Sequence, residues 1–324
     1  MGQVNTVLGP VDAADLGVTL MHEHVFVLSP EIQQNWPTGW DEHKAVDDAV
    51  DRLNELASVG VRTIVDLTVV GLGRNIGLVK RVAEQVEVNI VVATGLYTYD
   101  SLPHYFDMRS ASMRPDGIDA LEEFFLGDIE NGISGTGVRP GVIKCATDKQ
   151  GLTRGVERVL RAAAKVHRKT GLPISTHTDA PTHRGLDQQR VFASEGVDLS
   201  RVVIGHSGDS TDLEYLQTML REGSVLGMDR FGVDAYCTTE QRIQTVARLC
   251  EQGWASQLVL SHDAACHIDW FDDEMLKANV PNWNYMHISR DVLPRMREQG
   301  ITEEHISTML VETPRRLLDS GPAY

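Results

Sequence analysis

The sequence predicts an α/β protein, a closed (β/α)8 TIM barrel. Three observations predict it: short apolar, β-branched runs recur eight times, longer amphipathic stretches separate them, and composition never breaks over the 324 residues. The strands are expected at 18–21, 63–67, 89–93, 141–145, 173–176, 201–204, 224–228 and 257–260. Helical patterns fall at 47–59, 77–86, 118–130, 154–170, 187–195, 212–221 and 240–252. In 154–170, Val156, Leu160, Ala163, Ala164 and His167 follow the 3.6-residue period, with charge on the other face. Strands alternating with helices mean βα units and a parallel sheet. A doubly wound open sheet is the alternative topology. With no linker or low-complexity segment, residues 1–324 read as one domain.

Two additions to a minimal barrel are expected. Residues 2–17 contain Gly9-Pro10, a turn signal that suggests a short N-terminal hairpin. The segment 264–294, between the eighth strand and a final helix over 303–318, is a long loop rich in apolar side chains, Trp270, Phe271, Trp283 and Tyr285 among them. Such a loop usually covers a site or packs in an interface.

Composition excludes several partners. The 30 Lys and Arg against 46 Asp and Glu give a net charge of −16, which argues against nucleic acid and anionic membrane surfaces. No apolar stretch is long enough to cross a bilayer, and no signal peptide is visible. Cys145, Cys237, Cys250 and Cys266 lack paired spacing, so free thiols in a reducing cytoplasm are expected.

In this fold the active site lies at the C-terminal ends of the strands. His22 and His24 end the first strand, one residue apart, so both point to the same face. Lys144 ends the fourth strand, His177 the fifth, His206 follows the sixth and Asp263 the eighth. Each has a plain structural alternative, such as a strand-end histidine bonded to backbone. Together, four imidazoles and a carboxylate suit two divalent metal ions with mixed nitrogen and oxygen ligands. Lys144 is the exception, because an ammonium cannot ligate. Buried in Val142-Ile143-Lys144, it should lose its proton by desolvation. A neutral amine takes up carbon dioxide as a carbamate, whose two oxygens can bridge two metals.

His22-x-His24, Lys144, His177, the run Gly205-His206-Ser207-Gly208-Asp209 and Ser261-His262-Asp263 together resemble the phosphotriesterase family of the amidohydrolase superfamily, over essentially the whole chain. More narrowly they resemble its lactonase branch. The resemblance implies that His22, His24, carbamylated Lys144, His177, His206 and Asp263 hold two metals. It also implies a hydroxide between them, and a homodimer. Zinc comes first among the metals, with cobalt, iron or manganese also suited to the ligands. Phosphotriesterases proper carry a histidine after the seventh strand. Here Arg230 stands in that place and Asp209 is kept after the sixth, the lactonase pattern. Tyr97, in Gly95-Leu96-Tyr97-Thr98-Tyr99, matches a tyrosine beside the substrate carbonyl, and Trp270 matches an aromatic of the lactone pocket. Ala265 departs from a cysteine of some relatives.

The expected activity is therefore hydrolysis of lactones, N-acyl-homoserine lactones first (quorum quenching), with weaker phosphotriester hydrolysis. Asp263, Tyr97, Arg230 and Asp209 are the expected catalytic residues; Tyr97, Tyr99, Arg230, Ala265 and Trp270 are expected to line the substrate. Asp263 is expected to accept the nucleophile's proton and return it to the leaving alkoxide. The alternatives are phosphotriester hydrolysis as the main activity, and a non-catalytic barrel with a vestigial site. Gly71-x-Gly73-x-x-x-Gly77 hints at a dinucleotide loop, but its third glycine is one residue late. A tight βα turn explains it better, so no cofactor beyond the metals is expected. His262 should point away from the site, into the helix layer.

Overall fold

In the computed structural model, which describes residues 2–324, the expected runs become parallel strands that neighbour one another in sequence order. After an antiparallel hairpin, β1 (Gln3–Thr6) with β2 (Gly9–Asp12), come β3 (Val18–Val27), β4 (Val61–Asp66), β5 (Asn89–Gly95) and β6 (Val142–Ala146). Then follow β7 (Ile174–His177), β8 (Val202–Ile204), β9 (Val225–Met228) and β10 (Leu258–Leu260). The barrel closes between the first and last of these eight. Ser261 Oγ accepts from His22 N at 2.8 Å, and Asp263 N donates to His22 O at 3.0 Å.

The strands are buried on both faces, which is why they read as continuous apolar runs. The longer helices form the outer ring, and Glu42–Ser58, Arg154–Thr170 and Thr239–Glu251 each dock an apolar stripe. Arg154–Thr170 shows how such a helix is bounded. The Thr153 hydroxyl accepts from Val156 N, and Gly171 ends the helix at φ 73°, a left-handed turn that suits glycine. Between these ends Val156, Leu160 and Ala163 are fully buried, and a buried leucine contributes roughly 1.5–3 kcal/mol.

The structure corrects three expectations. The first strand runs ten residues, through His22 and His24 to Val27, because the chain after β10 gives it a second neighbour. That neighbour is β11 (Ala265–Ile268), a ninth strand parallel to β3 inside the segment read as a loop. The same segment holds a helix over Asp273–Asn279 and a wide turn over Ile288–Val292. The final helix is interrupted by a second wide turn, Thr308–Glu312. Each wide turn runs into a proline, Pro294 and Pro314, whose missing N–H cannot continue the regular ladder. Among the described residues no helix is long and apolar enough to cross a membrane, and the four cysteines are free and buried.

Candidate metal centre

The strand ends converge as expected. His22, His24, Lys144, His177, Arg230 and Asp263 all face one cavity of about 460 Å³ at the C-terminal mouth of the barrel. Tyr97, Tyr99, Ala265 and Trp270 line it too. His206 is buried beneath this layer at 1% exposure, and Asp209 lies behind Arg230. The centre depends on close strand contact: at Gly95, φ 142°, a Cβ would sit 1.8 Å from the carbonyl oxygen of Lys144.

Asp263 is the hub. Its Oδ1 lies 3.2 Å from His24 Nε2 and 3.4 Å from His22 Nε2, and its Oδ2 is 3.7 Å from His206 Nε2. Lys144 Nζ stands 2.9 Å from His22 Nε2 and 3.2 Å from Thr176 O. His177 turns its Nδ1 inward, 2.8 Å from His206 Nε2, and its Nε2 outward toward Asp148 Oδ2 at 3.4 Å.

The outward nitrogens are held by residues that the sequence reading did not assign. Asp229, fully buried, accepts from His22 Nδ1 at 2.8 Å and from His206 Nδ1 at 2.9 Å. It also accepts from His206 N at 2.7 Å. Thr68 donates its hydroxyl to Asp66 Oδ1, so its oxygen accepts from His24 Nδ1 at 2.8 Å. These partners assign the tautomers: Nδ1–H on His22, His24 and His206, with each Nε2 lone pair turned inward. Asp229 precedes Arg230 at the end of β9, and an acidic residue ending an apolar strand was the one available signal.

The donor set fits divalent cations. With Asp148 holding the Nε2–H of His177, its Nδ1 lone pair faces the Nε2 lone pair of His206 at 2.8 Å, an arrangement that a cation relieves. Burial holds His22 and His206 well below the usual imidazole range and pushes His177 down to about 4, so all three are in the neutral, ligating form. Burial would raise Asp263, but the Arg230 guanidinium donates to it and helps hold the carboxylate well below its usual range. Burial pushes Lys144 down to about 8, against the opposing pull of Asp263 and Asp229. Burial also raises the Tyr97 phenol well above 10, so its hydroxyl keeps its proton; it contacts the Tyr99 hydroxyl and lies 3.3 Å from His177 Nδ1.

Arg230 donates from Nε to Asp263 Oδ2 at 2.9 Å and from Nη1 to Asp209 Oδ2 at 3.0 Å. Asp209 in turn accepts from Arg242 Nη2 at 2.6 Å, and Arg242 is completely buried. A line of alternating charges thus runs from the cavity into the core. Trp270, Phe271 and Met275 stand at the mouth, about two-fifths exposed. The glycine run at 71–77 makes a tight turn. Gly71 lets the chain pass Tyr97, whose carbonyl oxygen would lie 2.2 Å from a Cβ there, and Arg74 pairs with Asp128 at 2.7 Å.

The sequence profile of the phosphotriesterase family matches residues 2–318. Over its full length the chain is 55% identical to the full length of the phosphotriesterase homology protein of Mycobacterium tuberculosis strain H37Rv. It is 38% identical over 308 residues to an aryldialkylphosphatase of Saccharolobus solfataricus, covering 94% of this chain and 96% of the relative. The solved structure of the phosphotriesterase from M. tuberculosis superposes with a TM-score of 0.97 at 55% identity, covering 99% of this chain and all of that one. A triple mutant of the organophosphorus hydrolase from Deinococcus radiodurans superposes with a TM-score of 0.90 at 36% identity, over 97% of each chain.

Proposed function

The chain belongs to the phosphotriesterase family, and from that membership we propose that it hydrolyses lactones, N-acyl-homoserine lactones first, with phosphotriester hydrolysis as a lesser activity of the same site. The observation that carries this reading is the position of Arg230 between Asp263 and Asp209, at the wall of an apolar cavity that Tyr97 also lines. Both carboxylates already claim the guanidinium. The cavity therefore offers no spare Arg230 charge to an anion and suits a neutral ester with an apolar chain.

His22, His24, Lys144, His177, His206 and Asp263 would hold two divalent cations, zinc first, with cobalt, iron or manganese as substitutes. Bound there, they would make water nucleophilic near neutral pH and polarise a carbonyl. Lys144 would join them as its carbamate: its amine nitrogen bonds to the carbon of carbon dioxide and gives up a proton. The chain's own residues do the rest. Tyr97 donates a hydrogen bond to the lactone carbonyl oxygen. Asp263 takes the proton of the attacking water and returns it to the alkoxide that leaves as the ring opens. Arg230, braced by Asp209, fixes the direction of that carboxylate. Tyr99, Ala265 and Trp270 form the wall along which the acyl chain lies, and burial of that chain supplies binding energy. By the same resemblance we propose a cytoplasmic homodimer that acts in quorum quenching.

The test is a pair of kinetic measurements on metal-replete protein. The kcat/KM for N-octanoyl-homoserine lactone should exceed that for paraoxon. The reverse order would make phosphotriester hydrolysis, the activity in the names of the relatives, the main one. No turnover of either substrate and no stoichiometric metal would favour the vestigial barrel.

A further inference from the structure

Glu23 stands between the two ligand histidines on β3 and points the other way, out of the barrel and away from the cavity. It is fully buried, and its carboxylate is spent on one short segment of chain. Oε1 accepts from His262 N at 3.0 Å and from His262 Nδ1 at 2.7 Å; Oε2 accepts from Ala264 N at 3.0 Å. The residue between these two amides is Asp263, at φ 56°, in the left-handed region that a non-glycine residue seldom adopts.

The geometry explains why a carboxylate is needed there. β10 ends at Leu260, so the amides of 262 and 264 lie beyond its ladder, yet they are buried. Unpaired buried N–H groups are costly, and one carboxylate with two oxygens satisfies both at once. The same turn is held at its other atoms. Asp263 N donates to His22 O at 3.0 Å, and His24 N donates to Ala264 O at 2.9 Å. Trp283 Nε1 donates to the carbonyls of His262 and Asp263 at 3.0 and 2.9 Å. Ile288 N donates to His262 Nε2 at 3.0 Å, which leaves the ring proton on Nδ1 and aims it at Glu23.

We propose that Glu23 is a positioning residue for the metal centre: its carboxylate clasps the 262–264 turn and so sets the direction in which Asp263 presents its own carboxylate to His22 and His24. The strand alternation that sends both histidines inward sends Glu23 outward, so one three-residue stretch supplies two ligands and the brace for a third. His262 completes the clasp and ties it, through Ile288 and Trp283, to the segment that covers the cavity. The inference rests on Asp263 being a ligand, as proposed above.

The test compares wild type with Glu23→Gln, which keeps the shape but offers an amide N–H where an amide must be accepted. Both are reconstituted with cobalt(II), and visible absorption is recorded before any substrate is added. The variant should bind cobalt with an altered ligand-field spectrum. Its kcat on the better of N-octanoyl-homoserine lactone and paraoxon should fall roughly 10- to 100-fold, with KM within about threefold. An unchanged spectrum together with an unchanged kcat overturns the proposal. A second measurement needs only wild type: side-chain nitrogen NMR of His262 should show a neutral ring protonated on Nδ1. A ring protonated on Nε2, or an imidazolium, overturns it even where Glu23→Gln does not fold. Failure of both substrates would sink the lactone reading, while the spectrum and the His262 tautomer still report on the clasp.

Discussion

Arg230 Nε donates to Asp263 Oδ2 at 2.9 Å, so a carboxylate that faces three histidines also receives a guanidinium. An arginine so placed fixes the direction of that carboxylate. Replacing it with methionine should lower kcat by about 10²-fold, as loss of one preorganised donor does, with a smaller change in KM. Steady-state kinetics on the preferred substrate check this. A fall confined to KM would show that Arg230 serves binding alone.

Arg242 has the opposite balance between chemistry and stability. Its side chain is completely buried and donates to Asp209 at 2.6 Å and to the carbonyl of Val233 at 3.1 Å. Arg242→Met should cost about 3–5 kcal/mol, because it leaves the buried side of Asp209 without a partner. Urea denaturation of the two proteins reads the difference. A cost below about 1 kcal/mol would mean that Arg230 alone satisfies Asp209.

Asp229 accepts the Nδ1–H of both His22 and His206. Asp229→Asn offers one oxygen where three donors, His206 N included, need acceptors, and should weaken metal binding about 10- to 100-fold. Competition with a chromophoric chelator measures it. Wild-type affinity in the variant would show that the imidazoles are oriented without this partner.

A pH dependence of folding is expected far from the cavity. His167 is buried on the helix Arg154–Thr170, with Nδ1 2.6 Å from Leu172 O and Nε2 2.7 Å from the Tyr324 hydroxyl. Burial lowers its pKa below the ordinary 6.5. The unfolded chain therefore binds the extra proton first, and the contribution of the neutral ring is complete above 6.5 and lost as pH falls below it through the folded-state value. Urea midpoints taken from pH 7 to pH 5 should fall for wild type and fall less for His167→Gln. Parallel slopes would place the acid sensitivity elsewhere.

The barrel was legible because β-strands buried on both faces leave short apolar runs, and all eight lie where the runs predict. The meeting of the proposed ligands was legible for a related reason: the fold sends strand ends to one mouth, so His22, His24, Lys144, His177, His206 and Asp263 needed no pairwise evidence to converge. What was not legible depends on contacts across the barrel. Ala265–Ile268 pairs with β3 through backbone bonds that four mixed residues do not announce. Asp229, Thr68 and Asp148 act on rings that arrive from other strands. Glu23 looked like a spacer between two histidines, because its partners lie some 240 residues further along the chain. The early start of the helix Glu42–Ser58 was missed for a local reason: its first turn is polar and held by the Asp41 side chain, not by an apolar stripe.

The proposed centre draws six side chains from five strand ends around two cations. Metal analysis of purified protein by inductively coupled plasma mass spectrometry, with hydrolysis followed during chelation and metal return, tests it most directly. Two equivalents per chain are expected, with activity lost with the metal and restored with it, and loss of both in His22→Ala. Full hydrolytic activity in protein that carries no metal, or in His22→Ala, would contradict it.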